Sequence, residues 1–313
     1  MSVTFSGGIT FTGGGFSFTP PPPPPSGNKA IFGYGFGSGF TAITNLVSNA
    51  GVVANDTAGV GSVRNSLAAA GYGTDKAIFG YGYTGVSPTA ITNLVSNTGV
   101  VASNTTGVGT AREGPAAAGY GTDKAIFGYG SGPTAVTNKV SNTGVVATDT
   151  TGVGTARYNL AAASYGTDTA IFGYGYSNSG GGYLSMTNKV SNTGVVASDT
   201  TGVGTARFYL AAAGYGTDKA IFGYGAASSG FVSLTNLVSN TGVVATDTTG
   251  VGTARRFLAA AVYGTDKAIF GYGYNSAEER VSLTNLVSNT GVVATDTTGV
   301  GTERDGLAAA AYG

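Results

Sequence analysis

The sequence predicts an all-β fold assembled from six copies of one unit, and three observations predict it. The string Ala-Ile-Phe-Gly-Tyr-Gly starts at Ala30, Ala77, Ala125, Ala170, Ala220 and Ala268, at intervals of 47, 48, 45, 50 and 48 residues. Within every copy the apolar runs are short, are bounded by Gly, Asn, Asp or Ser, and show no 3.6-residue periodicity. Gly makes up 55 of the 313 residues without recurring at every third position, so tight turns rather than a collagen helix account for it.

The elements of a unit follow in order, and the third copy, together with the segment that follows it, serves as the example. Residues 124–130 form a compact apolar run ending in Gly, and residues 135–141 alternate through Val136, Asn138 and Val140. Residues 144–148 carry Val145 and Val146, and residues 158–163 end in three alanines before a turn at 164–168. Four short strands per copy are the signature of a β-propeller blade, so the expected architecture is a six-bladed β-propeller of four-stranded blades over residues 29–313. Small alanines suit the crowded axis, and Ile-Phe suits the space between blades. The first copy lacks the strand that follows the Arg, and the last copy ends with it, Arg304 to Ala311. The C-terminal strand is therefore expected to join the N-terminal blade, which removes two open sheet edges.

Arg157, the alanines 161–163, Thr167-Asp168 and Ala170-Ile-Phe-Gly-Tyr-Gly175 stand in an order that resembles the kelch-type repeat of β-propellers, with the Gly doublet split to Gly-Tyr-Gly. The near-identical Gly-Val-Gly-Thr-Ala-Arg and Ala-Ile-Phe-Gly-Tyr-Gly copies also resemble repeats in virion proteins of tailed bacteriophages. That resemblance implies a fibre, adhesin or decoration subunit in a virion or extracellular surface assembly.

Composition removes several chemistries. The chain has no Cys, His or Trp, so thiolate nucleophiles, disulfides, the usual zinc, haem and iron–sulfur ligand sets and a Ser-His-Asp triad are absent. Fifteen basic and 15 acidic residues cancel, and a chain this poor in charge lacks the basic stripe of a nucleic-acid surface. No apolar run approaches the ~18 residues of a membrane span, and the first residues lack the basic flank and apolar stretch of a signal peptide. No cofactor is expected.

Six copies in one chain can be compared with each other. Variation concentrates after Gly-Tyr-Gly, at 36–40, 83–88, 131–133, 176–184, 226–232 and 274–281, and after the Arg, at 65–66, 113–115, 158–159, 208–209, 256–257 and 305–306. Up-and-down antiparallel topology brings both sets to one end of every blade. That end carries Phe40, Tyr83, Tyr158, Tyr176, Tyr183, Phe208, Tyr209, Phe231, Arg256, Phe257, Tyr274 and Arg280, together with Glu278 and Glu279. Rigid exposed rings among small polar residues make a recognition surface for a host-surface glycan or protein. The alternative is that unconstrained loops drift.

Other motifs carry less. The repeated Arg (Arg64, Arg112, Arg157, Arg207, Arg255, Arg304) either rings a pore as an anion site or pairs with Asp56, Asp149, Asp199, Asp247 and Asp296 inside the blades. Asp75, Asp123, Asp168, Asp218 and Asp266 suit turns, and one Asp per turn is thin for calcium. The Gly-rich strings lack the Lys-Ser/Thr of a phosphate loop. The Ser-x-Asp-x-Gly-x-Thr-Trp motif of sialidase propellers is missing, so an enzyme, carbohydrate-active or otherwise, is not expected.

The head of the chain differs. Val3, Phe5, Ile9, Phe11, Phe16 and Phe18 alternate with Ser and Thr over residues 1–19, and residues 20–28 form a proline-rich spacer. Its six prolines would extend roughly 19 Å at ~3.1 Å per residue. An amphipathic β segment on a stiff spacer suggests an anchor that adds to a sister chain or to another virion or filament protein. A self-assembling extracellular filament, polymerising through residues 1–19, is the alternative reading.

Overall fold

The computed structural model of the chain describes residues 9–12, 15–18, 28–179 and 181–313. These residues form small antiparallel sheets, and no helix occurs among them. In the fourth copy, Ala161–Tyr165 pairs with Thr169–Gly173, which pairs with Thr187–Val190. The same three-stranded pattern recurs in every copy. The sheet of the first copy takes its inner strand from the other end of the chain. Ala308–Tyr312 lies against Lys29–Phe36, with Ala308 opposite Gly33 and Tyr312 opposite Lys29.

Two expectations about the strands need correction. The fourth segment is not a strand: Gly-Val-Val-Ala and a Thr three residues past it touch the third strand at two isolated bridges, Val140 with Val146 and Thr137 with Thr150 in the third copy. Its first Val is left 61–66% exposed in all six copies (Val52, Val100, Val145, Val195, Val243, Val292). The inner strand of the fourth copy runs over Ala161–Tyr165 rather than 158–163. Asn159 takes the left-handed backbone region (φ 51°) and breaks the extended run, so Tyr158 bridges to Tyr176 instead.

Neighbouring copies pack through parts that match across the repeat. Inner strands lie beside one another in chain order, and Ala308–Tyr312 lies beside Ala68–Tyr72. Every Phe of the Ala-Ile-Phe string presses on a Gly of the preceding copy: a Cβ on Gly173 would meet Phe222 Cζ at 2.7 Å, and one on Gly271 would meet Phe32 Cζ at 2.8 Å. Only glycine leaves room for that approach. Below the inner strands, Gly73 N–H donates to Asp123 O, Gly121 to Asp168, Gly166 to Asp218, Gly216 to Asp266, Gly264 to Asn28 and Gly313 to Asp75.

The six repeated arginines are fully buried between sheets, which sets aside the anion ring in a pore. Arg304 shows why burial is tolerated. Its guanidinium donates to Tyr34 O (2.8 Å), Thr302 O (3.0 Å) and Asn45 Oδ1 (2.6 Å), and lies 4.3 Å above the Tyr272 ring. Asn45 in turn donates to Asp56 Oδ1, 3.9 Å from the guanidinium. The pairing with Asp recurs for Arg157, Arg207 and Arg255, at 3.7–3.8 Å. A buried charge needs such a set of partners, since desolvation would otherwise make it costly. The six stacked tyrosines, Tyr34 to Tyr272, are buried in turn, and burial pushes the hydroxyls of Tyr81, Tyr129, Tyr174 and Tyr224 up to about 12, against the pull of the arginine above each.

At the head, Ile9–Thr12 pairs with Gly15–Phe18, with Ile9 opposite Phe18 and Phe11 opposite Phe16. Val3, Phe5 and the prolines 20–25 of the expected anchor and spacer lie outside the described residues.

Candidate recognition face

Both variable sets meet at one end of the sheets, as the antiparallel order requires. Asn65 bridges Tyr83, Tyr158 bridges Tyr176, and Phe36 bridges Asp305. Arg207–Phe208 pairs with Ala226–Ala227, and Arg255–Arg256 with Tyr274–Asn275. In the third copy, whose loop is shortest, Ser131 N–H donates to Glu113 O at 2.8 Å.

A circle of backbone hydrogen bonds runs through the second variable set. Ser66 N–H donates to Gly306 O (2.7 Å), Gly306 to Phe257, Phe257 to Tyr209, Tyr209 to Asn159, Asn159 to Gly114 and Gly114 to Ser66, all at 3.0 Å or less. All six residues hold left-handed backbone, with φ between 51° and 61°. Gly114 and Gly306 adopt it without strain and Asn159 readily, whereas Tyr209 and Phe257 do so at a conformational cost.

The twelve residues singled out in the sequence fall into one network. Phe36, Phe40 and Tyr83 succeed one another at ring distances of 4.9 and 6.0 Å. Tyr158, Tyr176, Tyr183 and Phe208 pack at 5.2–5.8 Å, and Phe208, Tyr209 and Phe257 stack at 4.1 and 3.6 Å. Arginines join the two groups. Arg256 lies 4.7 Å from the Phe231 ring, 5.2 Å from Phe257 and 5.7 Å from both Tyr209 and Tyr274. Arg280 lies 4.7 Å from Phe36 and 5.7 Å from Tyr274. The rings are half-buried against one another rather than freely exposed as expected, because short loops on adjacent sheets cannot hold bulky side chains apart. Edge-to-face pairing and ring–guanidinium contact stabilise such a layer.

Phe36 and Asp305 belong to the site, although the sequence did not single them out. Asp305 is buried, with its Oδ2 3.4 Å from Arg280 Nε. Burial pushes its carboxyl above the ordinary range, against the pull of Arg280 and Arg256. The one available signal was its position: Asp305 is equivalent to Asn65, Glu113, Tyr158, Phe208 and Arg256, so each copy places a different side chain there. Beside Arg280 a cavity of about 500 Å³ opens between Gly37, Ser38, Glu279, Val281 and Glu303.

Glu278 and Glu279 sit on an exposed turn where Asn275 binds the backbone of Ala277 and Glu279. Asp75, Asp123, Asp218 and Asp266 lie at the opposite end and pair with the following Lys at 2.6–2.9 Å. No family model matches this chain, and no curated protein matches it.

Proposed function

We propose that the chain is a non-catalytic recognition module: a closed six-bladed β-propeller of kelch-like repeats that binds through its variable end. The inner-strand neighbours that return to the first copy, the Phe–Gly contacts and the two six-member circles of hydrogen bonds all support closure. The observation that carries the functional reading is the confinement of difference. Divergence among the six copies concentrates at one end, and the divergent side chains there build one layer of aromatics and arginines. Such a layer offers large rigid area with little entropy to lose on binding. Its ligand in this reading is a host-surface glycan or protein, and the module is a fibre, adhesin or decoration subunit of a phage-type virion or other surface assembly.

Replacing Tyr158, Phe208 and Tyr209 together with Ser tests the reading. Adsorption to cells or to a glycan array is expected to fall at least tenfold while the circular dichroism spectrum is unchanged. Unchanged binding by a folded variant removes the face from recognition.

The N-terminal pairing favours display through residues 1–19. A two-stranded pair of four-residue strands is too small to stand alone in water, so it calls for a covering sheet. In the anchor reading a sister chain or another virion protein supplies that sheet. In the filament reading the chain polymerises through it, and deleting residues 1–19 abolishes polymers seen by electron microscopy.

A further inference from the structure

Arg256 is the one cation of the variable end with no carboxylate in ion-pair contact among the described residues; Asp305, paired with Arg280, attracts it only from farther off. Arg280 has Asp305 at 3.4 Å, and the six buried arginines each donate to protein acceptors and stack on a tyrosine, although the Nε atoms of Arg64, Arg207 and Arg280 also find no hydrogen-bond acceptor. Arg256 has no carboxylate within 4 Å among the described residues, and its buried Nε finds no acceptor. It is held by four rings: Tyr209, Phe231, Phe257 and Tyr274. Rings orient a guanidinium without consuming its N–H donors, so its planar fork remains available for an oxyanion.

The supporting backbone points the same way. Arg256 precedes Phe257 and packs on Tyr209, the two bulky residues held in left-handed conformation by the circle of hydrogen bonds. Equivalent positions in other copies carry Ser66, Gly114 and Gly306, so the fold does not require aromatics there. Strain retained where a smaller residue would serve is a feature of functional sites.

We infer that Arg256 and its surrounding rings form a subsite for an acidic saccharide, the rings taking the apolar face of a sugar and the guanidinium its carboxylate or sulfate. This deepens the recognition reading and rests on it. A carboxylate would accept two parallel N–H bonds from the fork. A neutral sugar would leave the cation uncompensated in a half-buried setting.

The test uses the full chain and two matched pairs of polymers: polygalacturonate against its methyl ester, and dextran sulfate against dextran, titrated by calorimetry. Expected is at least tenfold tighter binding to one or both acidic polymers, weakening with added salt. Preference for polygalacturonate identifies carboxylate as the ligand chemistry, and preference for dextran sulfate identifies sulfate. Arg256→Gln is expected to erase the preference, and Arg256→Lys to keep part of it, since charge survives without the fork. Equal affinity for acidic and neutral partners, a preference that persists in Arg256→Gln, or no binding to any of the four polymers overturns the inference. Neutral binding that the Tyr158, Phe208 and Tyr209 serine variant loses would leave the recognition reading standing while the acidic subsite falls. Binding that this variant retains would sink the recognition reading itself.

Discussion

The layer between the sheets and the variable end are built on the same repeat but obey opposite rules. Between sheets, every copy uses the same Arg, the same Asn and the same stacked Tyr, and the polar atoms there depend on particular partners, the Nε atoms of Arg64 and Arg207 excepted. At the variable end, six backbones share one conformation while their side chains are Ser, Gly, Asn, Tyr, Phe and Gly. Where backbone hydrogen bonds alone fix the geometry, side-chain identity is released for other uses. Where a buried charge must be satisfied, identity is fixed.

The sharpest way to break the contrast is to remove the inner strand that comes from the chain's end. Deleting residues 305–313 leaves Lys29–Phe36 with an unpaired edge and Gly306 absent from its circle. The protein is expected to lose its cooperative thermal transition and to aggregate in size-exclusion chromatography.

Next in size is Arg157→Ala. It strands Asn188 Oδ1 and Tyr174 O, which the buried guanidinium holds at 2.6 and 2.8 Å. Urea unfolding is expected to show a loss of about 3–5 kcal/mol. A loss below 1 kcal/mol would mean that this layer does not hold the sheets together.

Two glycines sharpen the comparison. Gly173→Ala drives a Cβ to 2.7 Å from Phe222, and a loss of about 1–3 kcal/mol is expected. Gly39→Ala, in a variable loop with nothing within 4 Å of the added carbon, is expected to stay within about 0.5 kcal/mol of the parent.

Smallest and most distributed is the response to acid. Burial raises the carboxyls of Asp56, Asp149, Asp199, Asp247 and Asp296, but hydrogen bonds from Thr and Asn and the nearby Arg outweigh it and hold all five below the ordinary value. A depressed carboxyl adds stability above its unfolded value of about 3.9 and loses it as pH falls through the folded value. The urea midpoint is expected to be level from pH 7 to about 5 and to fall below about pH 4. Asp199→Asn should make that fall shallower, since the second copy already holds Asn104 in place of the Asp.

Much of this was legible in the residues. Six strings at near-constant spacing announced six equivalent sheets, and the missing first strand with its surplus counterpart announced the pairing of Ala308–Tyr312 with Lys29–Phe36. Strand limits were less legible. The break at Asn159 is held by a hydrogen bond to Gly114 in another copy, and the tolerance of Asn for left-handed backbone is the one local signal of it. The weak fourth segment was missed because Val145 and Val146 read as strand formers, although Val145 ends up facing solvent. Of the candidate site, the twelve residues were found by comparing copies, whereas Phe36 and Asp305, although inside the variable stretches, were assigned to it only by proximity.

By itself, then, the sequence determined the unit, its sixfold repetition and which end of it is free to differ, because these follow from periodicity and strand alternation within each copy. Only the tertiary structure decided what each side chain does. It placed the arginines in dry layers between sheets, pressed the variable rings into half-buried contact and left Arg256 with no carboxylate within 4 Å among the described residues. The physical reason is that partners come from different copies: Arg157 stacks on Tyr129, Phe222 fills the space at Gly173, and Arg280 reaches Asp305. Contacts between copies are set by how sheets pack, and nothing in the order of residues along one copy encodes them.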